Sequence, residues 1–382
     1  MTAFADDIAI AVSDGLRLDA LVELLRPQLG DLVGDPRVAA VRRFVFTASG
    51  DSLFAATATL PAFRRWTGAA AQVLTSIEFA RYETPLLGPG DLAVGVSNSG
   101  NSSRTRETMI LARARGIPTV GVTGSRQGPL ASLVDLVIHR PVGRPERVAP
   151  GHRRVLLNLA EYLASLYALY ALGLAFGEAR GALRPGEAET WRDRIRAAIL
   201  AVPAAARAME PAVADLARAL AGLDTVWCTG SGPSRGTADY TAAKFHEQHP
   251  LNGVAQDLEE WAHLQYFLTL AWGARSVVLV HAPAGNALDR AEEIVEGIAG
   301  AGGRAVVITT PGRGQFAKAM ARIDVPPPVD ELLTPILFHL PAQLLVLHLA
   351  ERAGIRDLPL RRQDDYWLIR KGLVRQAPEG LT

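Results

Sequence analysis

The sequence predicts an α/β protein made of two tandem, doubly wound parallel-sheet subdomains with flanking helices. Three observations lead there. From residue 43 onward, short β-rich apolar runs alternate with longer helical stretches. That is the rhythm of βαβ units whose parallel sheet is covered on both faces. The rhythm pauses at a polar stretch around 181–186 and then starts again. The strand-to-loop junctions of the second half echo those of the first at an offset of about 182–185 residues, so two copies of one unit is the simplest reading.

The elements follow in order. Residues 1–34 form an N-terminal helical segment, with Leu18, Leu21, Leu24 and Leu25 at helical spacing. Residues 35–180 form the first subdomain, with strands expected at 43–47, 72–77, 92–97, 118–123 and 135–139, a helix at 102–115 and a long helix at about 152–178. Residues 181–204 are a linker leading into a helical pass from about 188 to 222. Residues 205–353 form the second subdomain, with strands at 225–229, 276–282, 304–309 and 321–325 and a final helix at 332–353; 354–382 are a C-terminal tail.

Composition narrows the function. The 382 residues carry 40 Lys+Arg against 39 Asp+Glu, for a net charge of +1. A near-neutral chain argues against a binder that works by neutralising nucleic-acid phosphates. One cysteine, Cys228, leaves no disulfide scaffold or cysteine-rich zinc site. No signal peptide is visible, and the apolar run Leu163–Gly177 is shorter than a membrane span. A cytoplasmic protein is expected, with no membrane or nucleic-acid partner. Only Lys244, Lys318 and Lys371 interrupt a strong preference for arginine. A lysine in such a chain is a candidate for a place where a planar guanidinium will not fit.

The sharpest local signal is Ser-Asn-Ser-Gly-Asn-Ser-Ser-Arg-Thr at 97–105. It leaves a buried strand and enters a helix, which sets hydroxyls and free N–H groups at a helix N-terminus, a place that favours an anion. It lacks the lysine of a nucleotide P-loop, so the phosphate of a small molecule fits better. A plain cap and turn is the alternative, but five hydroxyls in nine residues exceed what one cap needs. Ser49-Gly50-Asp51-Ser52 lies at a neighbouring strand-to-helix turn and would face the same crevice. Gly230-Ser231-Gly232-Pro233-Ser234 resembles a truncated dinucleotide loop. It lacks the third glycine and any clear ribose-binding acid at the end of a second strand, which argues against a nicotinamide oxidoreductase. In a second cluster, Lys244 and Glu247 share a helix face at i, i+3, and Glu260 and His263 repeat that spacing. Surface ion pairs are the bland reading of that cluster. General acid–base chemistry is the other, with no metal and no cofactor implied.

These motifs resemble the double sugar-isomerase (SIS) family, above all the isomerase domain of glucosamine-6-phosphate synthase. The likeness runs from about residue 35 to 365. The family's Gly-Thr-Ser-Tyr turn is similar to Gly50-Asp51-Ser52-Leu53, its Ser-Glu-Phe-Arg-Tyr element to Glu78–Tyr82, and its Ser-Gln-Ser-Gly-Glu-Thr phosphate loop to Ser97–Ser102. Its Lys-Leu-Lys-Glu resembles Lys244–Glu247, and its Gly-Glu-Leu-Lys-His resembles Glu259–His263. The family's closing Ala-Pro-Ile-Phe…Pro-x-Gln-Leu-Leu helix looks like Thr334–Leu337 and Pro341–Leu345.

The resemblance implies flavodoxin-like subdomains and a sugar-phosphate substrate. It implies phosphate binding by Ser52, Ser97, Asn98, Ser99 and Ser102, and further substrate contacts at Gly50, Val148, Ala149, Glu260 and Asp365. It makes Glu247 the acid/base that moves a proton between adjacent sugar carbons, His263 the ring-opening residue and Lys244 a supporting cation. It implies a homodimer with shared sites, since the family's histidine typically comes from the neighbouring subunit. The departures are specific. No glutaminase domain precedes this unit and residue 2 is Thr, so the chain is not expected to take ammonia from glutamine by itself. The family's Val-Ala-Ser-Thr-Lys looks here like Val148-Ala149-Pro150-Gly151-His152, and its tail lysine aligns with Asp365, with Lys371 nearby. The phosphate end is kept and the sugar end is rewritten. The expected function is a metal-free phosphosugar isomerase or amino-sugar 6-phosphate deaminase working through an enediol or enolamine. The alternatives are a fructosamine-6-phosphate-type deglycase and a non-catalytic phosphosugar-binding protein.

Overall fold

The computed structural model describes residues 4–148, 150–249, 251–355 and 374–375. The chain divides into two compact units. Among the described residues, one is built from 15–143 and 160–194, and the other from 4–14, 144–148, 150–159, 195–249 and 251–355.

Each unit holds one five-stranded sheet with every pairing parallel. In the first, β1 (Arg43–Ala48), β2 (Ala70–Thr75), β3 (Asp91–Ser97), β4 (Thr119–Thr123) and β5 (Leu136–His139) lie in the order β2-β1-β3-β4-β5. In the second, β6 (Thr225–Thr229), β7 (Asn252–Gln256), β8 (Val277–Ala282), β9 (Arg304–Thr309) and β10 (Ala321–Asp324) lie in the order β10-β9-β8-β6-β7. Counted within each unit the two orders are the same, 2-1-3-4-5, which is the flavodoxin-like arrangement. The repeat inferred from the sequence is therefore a repeat of topology.

The pattern of side chains explains the layering. β3 and β8 are buried along their whole length, which is why both read as continuous apolar runs. On β1, alternation sends Phe44 and Phe46 to one face, where both rings meet Phe63 edge-on and Phe44 also meets Phe176. Val45 points the other way, into a cluster with Phe79, Ala93 and Met109. The second sheet packs Val278, Val280 and Val307 with Trp227, Trp261, Ile294 and Ile298.

Four elements differ from the sequence expectation. β7 was not expected: Asn-Gly-Val-Ala-Gln has little apolar content, and it is a strand because it lines the edge of the sheet against β6. β2 runs 70–75 rather than 72–77, and Ser76 already begins a short helix. The helical pass at 188–222 is two helices, Glu187–Leu200 and Val202–Ala219, bent by 45°. Pro203 sits in the first turn of the second, where a proline is tolerated but cannot donate back to a preceding turn. The closing helix is likewise broken, into Pro335–Phe338 and Leu340–Arg352, with Pro341 in the first turn of the latter. The segments Val155–Ala179 and Glu331–Arg352 are long and apolar enough to cross a membrane by length and composition, yet 72% and 100% of their most apolar windows are buried inside the protein.

The repeat extends to backbone dihedrals. After β1 the chain turns at Gly50 with φ 58° and ψ −139°; after β6 it turns at Gly232 with φ 59° and ψ −131°. The two glycines are 182 residues apart. Both start a helix from a conformation that only glycine adopts without strain. A Cβ on Gly232 would meet nothing within 4 Å, so the cost of adding one lies in the backbone alone. Gly232→Ala is expected to lower unfolding free energy by about 1–3 kcal/mol. Denaturant titration checks this, and an unchanged midpoint would contradict it.

Candidate functional site

The order of the first sheet turns between β1 and β3, and α/β sheets bind ligands in the crevice at such a switch point. The loops leaving these two strands are Ser49–Gly50 and Asn98–Ser102, which lie within the two motifs singled out in the sequence. Ser97 ends β3 and is buried; Asn98 is half-buried and Ser99 is exposed. Gly100 turns the loop at φ +70°, where a Cβ would lie 3.3 Å from the Cα of Gly128. The helix Ser103–Ala114 then starts. Its N-cap is Ser102, whose side chain makes no capping hydrogen bond.

The hydroxyls of this crevice form a chain. Thr105 Oγ1 donates to Ser102 Oγ at 3.0 Å, and Thr105 Oγ1 and Ser76 Oγ lie 2.9 Å apart. Thr47 and Ser49 each donate to Ser76 Oγ, at 3.2 and 3.4 Å. The ends of β1 and β2 are thereby tied to the first turn of the helix after β3. The Ser102 hydroxyl is held from behind rather than used up as a cap, Ser99 Oγ accepts from the N–H of Asn101 at 3.2 Å, and the loop stands at the positive end of a helix. Ser52, in the first turn of the helix Asp51–Thr67, is buried beside the exposed turn at Gly50. Sequence reasoning missed Arg140. It follows β5, is fully buried, and donates from Nη1 to Asn98 Oδ1 at 3.1 Å. A lone arginine after an edge strand carries no motif that could have flagged it.

The corresponding crevice of the second unit is built differently. Ser231 donates to Asp257 Oδ2 at 2.6 Å, while Asp257 Oδ1 accepts from the N–H of Glu259. β7 thus does end in an acid, Asp257, which the sequence reading did not find because it did not find the strand. Both oxygens of that acid are engaged within the protein. After β8, Asn286 donates through its backbone N–H and its Nδ2 to the Glu331 carboxylate, at 3.0 and 2.8 Å. Burial pushes the Glu331 pKa up. A carboxylate fills the place where the first unit offers hydroxyls, so the two copies have diverged. Cys228 is buried in β6, and burial raises its thiol pKa, leaving it unreactive.

Lys244 and Glu247 do meet. Nζ of Lys244 lies 2.6 Å from Glu247 Oε2 and 4.6 Å from the centre of the Tyr240 ring. Lys244 is fully buried, whereas the Glu247 side chain keeps 39% of its surface exposed. Tyr240 in turn donates to Gln343 Oε1 at 3.1 Å. A compact ammonium enclosed like this explains why the position is not arginine; Lys318, by contrast, is exposed. Among the described residues Glu247 Oε1 has no hydrogen-bond partner, so one oxygen is anchored and the other is open.

The remaining candidates are dispersed. His263 is exposed and lies 3.1 Å from Glu259, at i, i+4, rather than against Glu260, which is also exposed. Around it, Leu264, Phe267 and Leu270 expose 57%, 59% and 59% of their surface, an uncovered apolar face. Val148 is buried and its carbonyl accepts from Arg153 Nε. Ala149 and Asp365 lie outside the described residues, as does Lys371. His152, in the rewritten sugar-end segment, is held by Asp7 at 3.0 Å and by the edge of Phe4. No group of three His, Cys, Asp or Glu side chains among the described residues is placed to hold a metal ion.

Comparison with known proteins identifies the fold. Residues 38–172 match the SIS domain family model, a stretch that contains the whole first sheet and its hydroxyl-rich loop. That stretch of the chain is similar to a SIS domain. It is 25% identical over 325 residues to the glutamine–fructose-6-phosphate aminotransferase (isomerizing) of Caulobacter vibrioides, which covers 84% of this chain and 51% of that protein. The chain spans about half the length of the curated relatives it matches. Its structure superposes on the C-terminal domain of glucosamine-fructose-6-phosphate aminotransferase from Francisella tularensis with a TM-score of 0.74 at 15% identity, over 91% of this chain and 96% of that one. Tagatose-6-phosphate ketose/aldose isomerase from Escherichia coli superposes with a TM-score of 0.68 at 16% identity, over 98% and 96%.

The geometry of the Ser97–Ser102 loop leads to a direct test. Replacing Ser97, Ser99 and Ser102 together by Ala is expected to weaken binding of hexose 6-phosphates by at least about tenfold, as loss of hydrogen bonds to a charged group implies. Binding of the unphosphorylated sugars should not change. Isothermal titration checks both, and unchanged phosphosugar affinity would remove the loop from the site.

Proposed function

We propose that the protein is a cytoplasmic, homodimeric phosphosugar isomerase that acts on hexose or amino-sugar 6-phosphates. The hydroxyl-rich loop Ser97–Ser102 carries this reading. It sits at the switch point of the first sheet, and its Ser102 hydroxyl is joined through Thr105 to Ser76 without serving as the helix cap. The relatives support a sugar-phosphate isomerase role: the Caulobacter protein is named for fructose 6-phosphate and for isomerisation, and the Escherichia coli structure is a ketose/aldose isomerase.

The chemistry we assign to the protein rests on the Glu247 carboxylate. Aldose–ketose exchange through an enediol takes a proton from one carbon and returns it to its neighbour, so one base must serve both carbons. Glu247 suits that role, because Lys244 holds Oε2 and leaves Oε1 to exchange the proton. Lys244 is the supporting cation, and His263 is assigned to opening the sugar ring. The uncovered Leu264, Phe267 and Leu270 beside His263 support a second copy of the chain as the partner. A deaminase or a deglycase acting on a fructosamine-type 6-phosphate would use the same enediol or enolamine chemistry on a different substituent.

Two measurements test the proposal. Thermal-shift assays with hexose, amino-sugar and fructosamine 6-phosphates, each beside its unphosphorylated sugar and with NAD included, should show stabilisation by phosphorylated sugars alone. No shift from any phosphosugar would overturn the substrate class, and a shift from NAD would point to oxidoreductase chemistry. Glu247→Gln should then reduce turnover of the best ligand by at least about a hundredfold, the scale of a lost general base, while its dissociation constant stays within about threefold. Unchanged turnover would contradict the role of Glu247. Tight binding with no turnover by the unaltered protein would favour a non-catalytic phosphosugar-binding protein.

A further inference from the structure

We infer that Arg140 is a buried positioning residue for the substrate's phosphate: it fixes the Asn98 side chain with its amide N–H groups turned outward and places a positive charge directly behind the Ser97–Ser102 loop. This rests on the reading of that loop as the phosphate site.

Arg140 is fully buried immediately after β5. Its Nη1 reaches Asn98 Oδ1 at 3.1 Å and the Glu161 carbonyl at 3.4 Å, while Nε and Nη2 are buried with no hydrogen-bond partner among the described residues. Among the described residues no carboxylate forms an ion pair with it; the Glu161 carboxylate acts on it only at longer range. Burial pulls the Arg140 pKa down to about 10, so the group keeps its charge at neutral pH. Burying a cation with no paired anion is unfavourable, and such a group persists in a fold where it acts on something.

The direction of the Asn98 amide follows from donor–acceptor logic. A guanidinium has five donors and no acceptor, so the atom of Asn98 that faces it must be the oxygen. Nδ2 is then directed away from Arg140, and it makes no hydrogen bond to a described residue. The backbone of Asn98 is held too: its carbonyl accepts from the N–H of Gly124 at 2.9 Å and from Thr123 Oγ1 at 3.3 Å. Gly124 has to be glycine for this, because a Cβ there would lie 2.6 Å from Asn98 Oδ1. The ends of β4 and β5 thus hold Asn98 at the mouth of the loop, one by its backbone carbonyl and the other by its side-chain amide. A phosphate monoester is a dianion above its second pKa of about 6, and a fixed cation behind the loop favours that state over a monoanion.

The test uses fructose 6-phosphate and fructose 6-sulfate as probes, titrated calorimetrically at pH 8. Both esters are tetrahedral, but only the phosphate carries two charges. The unaltered protein is expected to prefer the phosphate ester. Arg140→Met should weaken fructose 6-phosphate by about tenfold or more and fructose 6-sulfate by about threefold or less, so the preference narrows. A general loosening of the loop would weaken both esters by one factor, and that result would overturn the inference, as would an unchanged affinity for the phosphate ester. Asn98→Ala keeps the arginine in the fold and should also weaken fructose 6-phosphate; wild-type affinity in that variant would overturn the route through Asn98 even if Arg140→Met does not fold. If the serine replacements abolish binding and Arg140→Met does not, the inference fails while the loop stands. If the unaltered protein binds neither ester, the phosphate reading fails and this inference with it.

Discussion

The reversal of strand order in each parallel sheet is the constraint on which the rest depends. Between β1 and β3, and again between β6 and β8, the chain turns back on itself, so the loops leaving neighbouring strands diverge and open a crevice at the carboxyl ends. Helices start from those loops, and their first turns offer backbone N–H groups to whatever enters. The glycines at 50 and 232 take up the one backbone conformation that lets a helix begin this close to the strand. Given that frame, what each crevice can hold is decided by a handful of side chains.

The two units use the same frame in opposite ways. In the first, Ser97, Ser99 and Ser102 stand on a loop backed by Ser76, Thr105 and a buried arginine. In the second, Asp257 and Glu331 reach the equivalent loops from the segments after β7 and β10 and engage Ser231 and Asn286. A site lined by hydroxyls and backed by a cation attracts an anion, and a site filled by carboxylates repels one. One topology has thus been kept while the side chains that line its two crevices have diverged. The second unit holds the enclosed Lys244 with its half-open Glu247.

Much of this was legible in the sequence, for identifiable reasons. β3 and β8 announce themselves because a strand buried on both faces is an unbroken apolar run. The serine cluster at 97–102 stands out because it interrupts such a run. Lys244 stands out because lysine is scarce in this chain. β7 was not legible, because an edge strand of Asn-Gly-Val-Ala-Gln owes its conformation to hydrogen bonds with β6 and not to its own side chains. Asp257 was lost with it. Arg140 was invisible for a different reason: its significance lies wholly in its burial and in the amide it meets, neither of which is local in sequence. The pairing of His263 with Glu259 rather than with Glu260 turns on the local winding of the Trp261–Gln265 segment, which i, i+3 spacing alone does not settle.

The central claim is that a phosphorylated sugar undergoes proton transfer between adjacent carbons in this protein. The most direct test is proton NMR in D2O with a panel of hexose and amino-sugar 6-phosphates. Isomerase, deaminase and deglycase chemistry all pass through an enediol or enolamine, so each exchanges a carbon-bound proton with solvent. The account predicts that at least one phosphosugar loses its C1 or C2 proton signal in the presence of the protein, that its unphosphorylated counterpart does not, and that Glu247→Gln abolishes the loss. A panel in which phosphosugars bind but no carbon-bound proton exchanges would contradict it.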